Sequence, residues 1–461
     1  MPEANPQLSR FLSNVPGVVW PPVSMGVAGA VNSMLRSLED TQWYPARELQ
    51  RAQHAQLRLL AEHAAKASPA FAERLREAGL AARDLAAPEG LAQLPPLTRR
   101  DLQDAGDALF CTEVPKGHSP VEVTRTSGST GEPVAVRRTS ISGVMWSAMT
   151  LRDHLWRGLD FGWRLSVCRP TINAYVERRD WGSPISLLYR SGPAQLIPTD
   201  TPVDEMADRI ATFSPHLLVV YPSVLSALVD RLRAQRRRLP DLRLVHSIAE
   251  TLSPELREQA TAALGARVWD TYSSQELGNI ATQCPGSDLL HVMAESVLVE
   301  VLDDTGRPCT EGQSGRLVGT DLHNFATPLV RYDLGDYAEV GGECRCGRGL
   351  PTLRRVLGRE RNLVHLPDGS RHWPLVGFHR FADIAPIRQY QLIQHDLERI
   401  EVRMVAAEPV SSEQEAALTT VIRAALGHPF ALEFNWFDDR LPVGPGGKFE
   451  EFRSEVPAPP G

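Results

Sequence analysis

Lysine is scarce in this chain. Of its 49 basic residues only Lys66, Lys116 and Lys448 are lysines, and all the others are arginines. Because arginine serves wherever a general positive charge is needed, a lysine in a suggestive setting is more informative here than usual. Lys448 ends the glycine-rich segment Gly444-Pro445-Gly446-Gly447-Lys448. We interpret it as a compact charge delivered to a carboxylate and a phosphate that react together, in preference to an inert tail residue.

Other scarce features exclude whole classes of protein. The formal net charge is −7, which gives no electrostatic case for binding nucleic acid. No apolar run approaches the roughly 20 residues that span a bilayer, and the first residues lack the pattern of a signal peptide. Six cysteines in 461 residues are not a disulfide framework. We expect a cytoplasmic protein, monomeric or homodimeric, whose partners include neither nucleic acid nor membrane.

One polar segment stands out: Thr126-Ser127-Gly128-Ser129-Thr130-Gly131-Glu132-Pro133, here called the phosphate loop. The flanking runs 121–124 and 134–136 are of strand type, which predicts a hairpin with this loop at its tip. Glycine lets the backbone approach a ligand, and N–H groups and hydroxyls then form an anion-binding concavity. The Gly-x-x-x-x-Gly-Lys-Ser/Thr motif of P-loop kinases and GTPases is absent from the segment. The loop therefore predicts a polyphosphate site, with an ordinary Ser/Gly hairpin tip as the alternative.

The chain is long enough for two or three domains. Residues 204–272 alternate between predicted helices and buried strands, which is typical of a parallel α/β sheet. Residues 288–356 are strand-rich, and a smaller α+β unit follows Gly358-Arg359. We predict an α/β fold with a large N-terminal domain, residues 1–357, in which mixed or parallel sheets are flanked by helices beside a β-rich subdomain. Residues 358–461 are predicted to form a small, mobile α+β domain.

The N-terminal region carries weaker signals. Residues 1–40 are poorly patterned and contain several prolines, which predicts an arm over the surface. Residues 46–80 have helical spacing, and the break at Ser68-Pro69 predicts two helices. Thr98 is a candidate cap for a helix that begins at Arg99.

Several polar and aromatic residues lie at or just past predicted strand ends, where ligands bind in parallel sheets. These are Tyr221, Ala249-Glu250 and Tyr272. Tyr221 and Ala249 are candidates for lining a substrate pocket, together with His246, for which a core position is the more ordinary interpretation. Glu250 is a candidate for contact with a nucleotide.

Two further acids have chemistry that suits a nucleotide. In Tyr272-Ser273-Ser274-Gln275-Glu276 the ring can stack on a purine and Glu276 can hold Mg²⁺ bound to phosphates. A loop with a half-buried tyrosine is the equally weighted alternative. Asp336 follows a predicted glycine turn and is an acceptor suited to a ribose diol. Without its context it would be interpreted as a turn-capping aspartate.

Four residues have the spacing of a metal site. Cys344 and Cys346 lie in a glycine-rich segment, and Cys284 and His291 lie upstream. Two ligands at each end of a strand-rich segment fit a closed, structural Cys₃His zinc site. The alternative is free thiols, which we expect for the other three cysteines.

These pieces occur together and in order, and the chain thereby resembles the adenylate-forming superfamily over residues 46–461. It is most similar to the phenylacetate–CoA ligase branch, which residues 68–80 and 94–102 resemble in their helices. The phosphate loop, Tyr272–Glu276 and Arg331–Asp336 match three superfamily motifs. Gly358-Arg359 matches the hinge motif and Gly447-Lys448 the catalytic-lysine loop.

The resemblance implies an enzyme that activates a carboxylic acid, expected to be aromatic, with ATP and Mg²⁺ as an acyl-adenylate. The small domain then rotates for transfer of the acyl group to CoA. The implied roles place Thr126, Ser127, Ser129 and Thr130 on the β- and γ-phosphates, with the backbone of Gly128 and Gly131 beside them. Tyr272 would contact adenine, Glu276 the magnesium, and Asp336 with Arg359 the ribose. Lys448 would bridge the carboxylate and the α-phosphate.

The chain departs from the superfamily pattern at particular positions. Glu132 replaces a lysine of many relatives, Gln275 a Ser/Thr, and Arg361 an acid of the hinge motif. These departures keep two alternatives open. One is an adenylating enzyme that transfers the acyl group to an amine, a hydroxyl or a carrier protein without CoA. The other is an inactive protein that keeps the fold and the zinc.

Overall fold

The computed structural model describes residues 10–126, 134–359, 362–372, 374, 381–438, 441–442 and 450–456. The chain divides into two compact units. The first contains residues 1–128, 132–252 and 256–356, and the second contains residues 129–131, 253–255 and 357–461.

Some of the helices before residue 357 begin at a side-chain cap that the sequence supplies. Ser68 accepts a hydrogen bond from the backbone of Phe71, and Thr98 and Asp101 form a reciprocal capping box, as both positions predict. The helices are α1 (Gly26–Thr41), α2 (Ala46–Ala67), α3 (Pro69–Glu77), α4 (Pro88–Gln93), α5 (Arg99–Ala105), α6 (Ser140–Trp156), α7 (Val203–Phe213), α8 (Pro222–Ala234) and α9 (Pro254–Leu264).

The strands of this region form a hairpin and a large sheet. The hairpin pairs β1 (Val121–Thr126) with β2 (Val134–Thr139) in antiparallel register. The strands of the sheet are β3 (Leu165–Arg169), β4 (Val176–Arg178), β5 (Ala194–Pro198), β6 (Leu217–Val220), β7 (Leu244–Ile248), β8 (Arg267–Ser274), β9 (Gly278–Gln283), β10 (Leu290–Val292), β11 (Val297–Leu302), β12 (Ser314–Asp321), β13 (Tyr332–Val340) and β14 (Thr352–Arg359).

The large sheet is mixed. Its order is β11-β12-β13-β14-β10-β9-β8-β7-β6-β3-β5-β4. The pairs β5–β3, β3–β6, β6–β7 and β7–β8 are parallel, whereas β8–β9 and the described pairs beyond it are antiparallel. Side chains of α7, α8 and α9 bury against the parallel strands in one core cluster, and α1 and α6 contribute to another. The predicted α/β class with flanking helices and a β-rich part is confirmed.

The second unit is a smaller α+β structure. Its sheet has the order β19-β18-β17-β20 and packs against a helix that Ser411 caps. The elements are β15 (Val364–His365), β16 (Arg371–His372), α10 (Phe381–Ile384), β17 (Ile387–Gln394), β18 (Arg399–Ala406), α11 (Ser412–Leu426), β19 (Ala431–Phe437) and β20 (Phe452–Ser454). No helix in the described ranges of either unit combines the length and apolar character needed to cross a bilayer.

The expectation of a surface arm over residues 1–40 is wrong for its second half. Residues 26–41 form α1, which buries Val31, Leu35 and Leu38. The partner surface comes from α6 and neighbouring residues more than 100 positions away, which a local pattern cannot reveal.

Two strand ends also differ from the expectation. Tyr272 lies inside β8 because the parallel strand continues into a hairpin with β9. Asp336 lies inside β13 and not beyond a turn, although Gly335 does adopt a φ of +70° within the strand.

Candidate functional site

Two neighbouring parallel strands bring the first group of predicted residues together. Tyr221 directly follows β6, and Ala249-Glu250 directly follow β7, which pairs with β6 in register. The carboxylate of Glu250 accepts hydrogen bonds from the backbone N–H of Ser223 (2.9 Å) and from its hydroxyl (3.1 Å). The structure thus gathers these residues at the carboxyl edge of the parallel strands, where such sheets bind ligands.

Ala249 has a backbone conformation that alanine rarely adopts. Its φ is +67°, in the left-handed region. Non-glycine residues there cost on the order of 1 kcal/mol or more, and such conformations cluster at binding sites. The turn after β7 therefore has a strained backbone conformation at the sheet edge that carries Glu250.

Tyr272 and Asp336 form a direct link between the two halves of the sheet. The Tyr272 hydroxyl donates to a carboxylate oxygen of Asp336 over 2.6 Å. Tyr272 belongs to β8, at the junction of the parallel and antiparallel strands, and Asp336 belongs to β13. Two residues that are 64 positions apart, predicted to bind adenine and ribose, therefore lie in contact.

Glu276 lies in the tight connection between β8 and β9. Its side chain is 12% exposed, and Oε1 lies 3.3 Å from Nη1 of Arg99. Arg138 on β2 donates to the backbone carbonyl groups of Gln275 and, over 3.2 Å, of Glu276 itself. The carboxylate is held on a fixed turn, with cationic side chains close by.

His246 is largely buried and belongs to a polar network. Its Nε2 lies 3.0 Å from Nη2 of Arg157 and 3.0 Å from the hydroxyl of Thr271. Burial, and next the positive charge of Arg157, hold the pKa of His246 well below its ordinary range. The imidazole is therefore neutral at physiological pH. Asp153 forms an ion pair with Arg157 and also accepts from the hydroxyl of Thr282.

The remaining predicted site residues are Thr126, residues 127–131, Arg359 and Lys448. Thr126 ends β1, where it pairs with Val134, while 127–131 and Lys448 lie outside the described residues. Arg359 is the last residue of β14 in the second unit, and its backbone N–H donates to Oδ1 of Asn362 over 2.8 Å.

The four predicted metal ligands converge. Their ligand atoms all lie within 4.8 Å of one another; the set is Cys284, His291, Cys344 and Cys346. The sulfur atoms of Cys284 and Cys344 are 3.5 Å apart, and Sγ of Cys346 is 3.3 Å from Nε2 of His291. Tetrahedral zinc with Zn–S bonds of about 2.3 Å would place its ligands about 3.8 Å apart, so the donor set fits that ion.

A sequence comparison identifies the family. A model described as AMP-binding enzyme matches residues 28–321, well over half of the chain. The chain belongs to the AMP-binding enzyme family. This confirms the resemblance on which the site residues were predicted, and it confirms the enzyme class, a ligase that forms AMP.

Individual relatives agree with this assignment. A phenylacetate–coenzyme A ligase of Thermus thermophilus is 27% identical over 401 residues, which cover 82% of this chain and 87% of that protein. A phenylacetate–coenzyme A ligase of Pseudomonas putida is 28% identical over 331 residues, covering 68% and 72%. The crystal structure of a 2-hydroxyisobutyryl-CoA ligase in the postadenylation state has the same fold, with a TM-score of 0.73 at 19% identity over 90% of this chain and 91% of that one.

The sequence-based reasoning missed two residues of this AMP-binding enzyme. Arg99 and Arg138 both contact the turn of Glu276, yet nothing in the sequence marked them as part of a site. In a chain so rich in arginine, residue type carries little information. The only available signal was the predicted cap at Thr98, which fixes where Arg99 begins its helix.

Proposed function

We propose that this chain uses Mg·ATP to activate a carboxylic acid as its acyl-adenylate, and then transfers the acyl group to CoA. The observation that carries the proposal is the contact of Tyr272 with Asp336 beside the sheet edge that holds Glu250. In a member of the AMP-binding family these groups suit a nucleotide: an aromatic ring for adenine and a carboxylate for the ribose diol.

The first step is displacement at phosphorus. A carboxylate oxygen of the substrate attacks the α-phosphorus, the bond to the bridging oxygen breaks, and pyrophosphate leaves. In the proposal Glu276 holds the Mg²⁺ that accompanies the phosphates, and 126–131 contact the β- and γ-phosphates. Lys448 bridges the carboxylate and the α-phosphate. Such reactions depend mainly on placement and on charge stabilisation.

The second step forms the thioester. The sulfur of CoA attacks the acyl carbon, the bond to the phosphate oxygen breaks, and AMP leaves. We assign binding of ATP and carboxylate to residues 1–357 and assign residues 358–461, with Arg359 and Lys448, to a small lid domain. A lid that excludes water protects the reactive adenylate from hydrolysis.

The proposed substrate is an aromatic acid. The support is the phenylacetate–CoA ligase activity named for the two relatives. Tyr221, Ala249 and His246 are the proposed lining. Because His246 is neutral and already hydrogen-bonded to Arg157 and Thr271, it would line the pocket without offering a positive charge to a second carboxylate on the substrate.

A second acceptor class is favoured by specific departures in the sequence. Gln275 stands at a usual Ser/Thr position, and Arg361 stands at the position of an acid in the hinge motif. Because the proposed lid domain follows this hinge motif, a change there would affect the second step, and adenylation with transfer to an amine, a hydroxyl or a carrier protein is the competing proposal.

One experiment separates the two acceptors. The protein is incubated with ATP, Mg²⁺ and a panel of aromatic and aliphatic acids, and AMP release is followed with CoA, with an amine, or with neither. Stimulation by CoA with formation of a thioester supports the proposal. Stimulation by an amine alone would replace it with the competing one.

We also propose that the four converging residues hold structural zinc. Three thiolates and one imidazole complete a tetrahedral set, which leaves no ligand position for a substrate. Metal analysis of protein purified without chelator should give about one zinc per chain. Cys344→Ser should lose it, and Cys309→Ser, a cysteine outside the cluster, should keep it. Equal zinc content in both variants would contradict the assignment.

A further inference from the structure

We infer that Arg99 binds the pyrophosphate part of Mg·ATP and supplies the positive charge that this chain's phosphate loop lacks, with Arg138 positioning the turn of Glu276. The inference rests on the proposed function. Residues 126–133 include Glu132 and no lysine or arginine, so the loop brings a negative charge and no positive charge to a proposed polyphosphate site. A polyanion requires compensating charge from elsewhere in the protein.

Arg99 is fixed at the place where that charge is needed. It is the first residue of α5, and the capping box of Thr98 and Asp101 holds the start of this helix. Its Nη1 lies 3.3 Å from Oε1 of Glu276, the proposed magnesium ligand, and its side chain is only 23% exposed. A guanidinium held this close to the metal ligand lies within reach of phosphates bound to the same metal.

The start of α5 is also tied to the nucleotide side of the site. The backbone N–H of Leu97 donates to the carbonyl of Arg331 over 2.7 Å, and that of Asp333 donates to Leu97 over 2.9 Å. These bonds join the segment before Arg99 to β13, the strand that carries Asp336. The arginine and the proposed ribose ligand are therefore held by one connected backbone.

Arg138 acts on the backbone of the turn. It lies on β2, the strand that begins directly after the phosphate loop, and it donates to the carbonyl groups of Gln275 and Glu276. Its Nε is buried and has no hydrogen-bond partner among the described residues. Arg138 thus couples the strand that follows the loop to the turn that carries the metal ligand, which makes it a positioning residue.

The contact between Arg99 and Glu276 is compatible with metal binding. A carboxylate has about four lone-pair sites, and the 3.3 Å contact from Nη1 of Arg99 to Oε1 of Glu276 uses one of them. Glu276 can therefore accept Mg²⁺ while Arg99 turns toward a phosphate oxygen. Arginine matches phosphate geometry through parallel N–H donors.

The test measures ligand binding directly and needs no knowledge of the acid. Mg·pyrophosphate, Mg·ATP and AMP are titrated calorimetrically into the full chain and into Arg99→Gln, Arg99→Lys and Arg138→Gln. The matched control is Arg100→Gln, because Arg100 is the next residue of α5 but is 88% exposed and lies near Asp104. AMP lacks the pyrophosphate and reports whether the nucleotide site is intact.

We expect Arg99→Gln to bind Mg·pyrophosphate and Mg·ATP at least about tenfold more weakly, with AMP affinity unchanged. Arg99→Lys should recover part of the loss, Arg138→Gln should raise the Mg²⁺ concentration needed for ATP binding, and Arg100→Gln should equal wild type. Equal pyrophosphate affinity in Arg99→Gln and Arg100→Gln would overturn the inference, as would a parallel loss of AMP binding. A wild-type chain that binds neither ATP nor AMP would overturn the proposed function itself.

Discussion

At the scale of the residue, substitution of Tyr272 tests the proposed nucleotide site most simply. It donates to Asp336 over 2.6 Å and so orients the carboxylate proposed to hold the ribose. Tyr272→Phe removes a hydrogen bond to a charged group, which is worth on the order of 1.5–3 kcal/mol. We expect the KM for ATP to rise about tenfold, with a smaller change in kcat.

A matched variant makes this result specific. Tyr175→Phe removes another hydrogen bond from a tyrosine hydroxyl to a carboxylate, the exposed bond from Tyr175 to Glu177. Its KM for ATP should equal that of wild type. If Tyr272→Phe also leaves the KM for ATP unchanged, the placement of Asp336 on the ribose is wrong.

His154 supplies a prediction about pH. Its ring lies on α6 among Phe161 and Trp181, and burial lowers the pKa of its imidazole to about 4. The unfolded value is about 6.5, so the unfolded chain binds more protons between these two values. The contribution of the neutral His154 to the free energy of unfolding is therefore fully present above pH 6.5 and is lost as the pH decreases toward 4.

The variant His154→Phe should remove this dependence. Between pH 7 and pH 5 it should lose about 2 kcal/mol less of its free energy of unfolding than wild type does. Urea unfolding of both proteins at the two pH values, followed by tryptophan fluorescence, measures the difference. Parallel pH dependences in the two proteins would show that His154 does not titrate as described.

At the scale of the element, α1 is the helix whose role depends most on tertiary contacts. Leu35 is 2% exposed and packs in the cluster that joins α1 to α6. Leu35→Ala should lower the free energy of unfolding by about 2–5 kcal/mol. Leu59→Ala, made on α2 at a leucine that is 50% exposed, should change it by less than about 0.5 kcal/mol. If Leu35→Ala and Leu59→Ala shift the unfolding midpoint equally, α1 does not pack against α6 as described.

Local signals predicted element boundaries well where a cap or a proline sets them. Ser68-Pro69 and Thr98 end or begin helices in the structure as the sequence indicates. Strand ends were less predictable, because Tyr272 stays in β8 through pairing with Ala281 of β9, and Asp336 lies in β13 at a register shift in its pairing with β12. Such pairing depends on residues distant in sequence, and so does the packing of α1 against α6.

The site shows the same division between local and distant information. The order of motifs along the chain predicted that Tyr272, Glu276 and Asp336 act together. It could not predict the bond between Tyr272 and Asp336, or the approach of Arg99 to Glu276, since each joins elements far apart in sequence. The convergence of the four candidate metal ligands was predictable because cysteine is rare here and its spacing is informative.

At the scale of the whole molecule, the chain has only three lysines, so the proposed catalytic lysine can be compared with both of the others. Lys448→Ala should reduce adenylation by several orders of magnitude, because it removes the charge proposed to bridge the carboxylate and the α-phosphate. Lys66 and Lys116 are exposed, and alanine at either position should leave the rate unchanged. Initial rates of pyrophosphate release measure all three, and a near-normal rate for Lys448→Ala would refute its role.

The central claim is that the chain forms an acyl-adenylate reversibly, and exchange of labelled pyrophosphate into ATP tests it most directly. The assay needs ATP, Mg²⁺ and a carboxylate but no acceptor, so it isolates the first step from the second. The account predicts exchange that depends on a carboxylate, with aromatic acids most effective, and that Lys448→Ala abolishes. If no acid in a broad panel supports exchange by the wild-type chain, the account is contradicted.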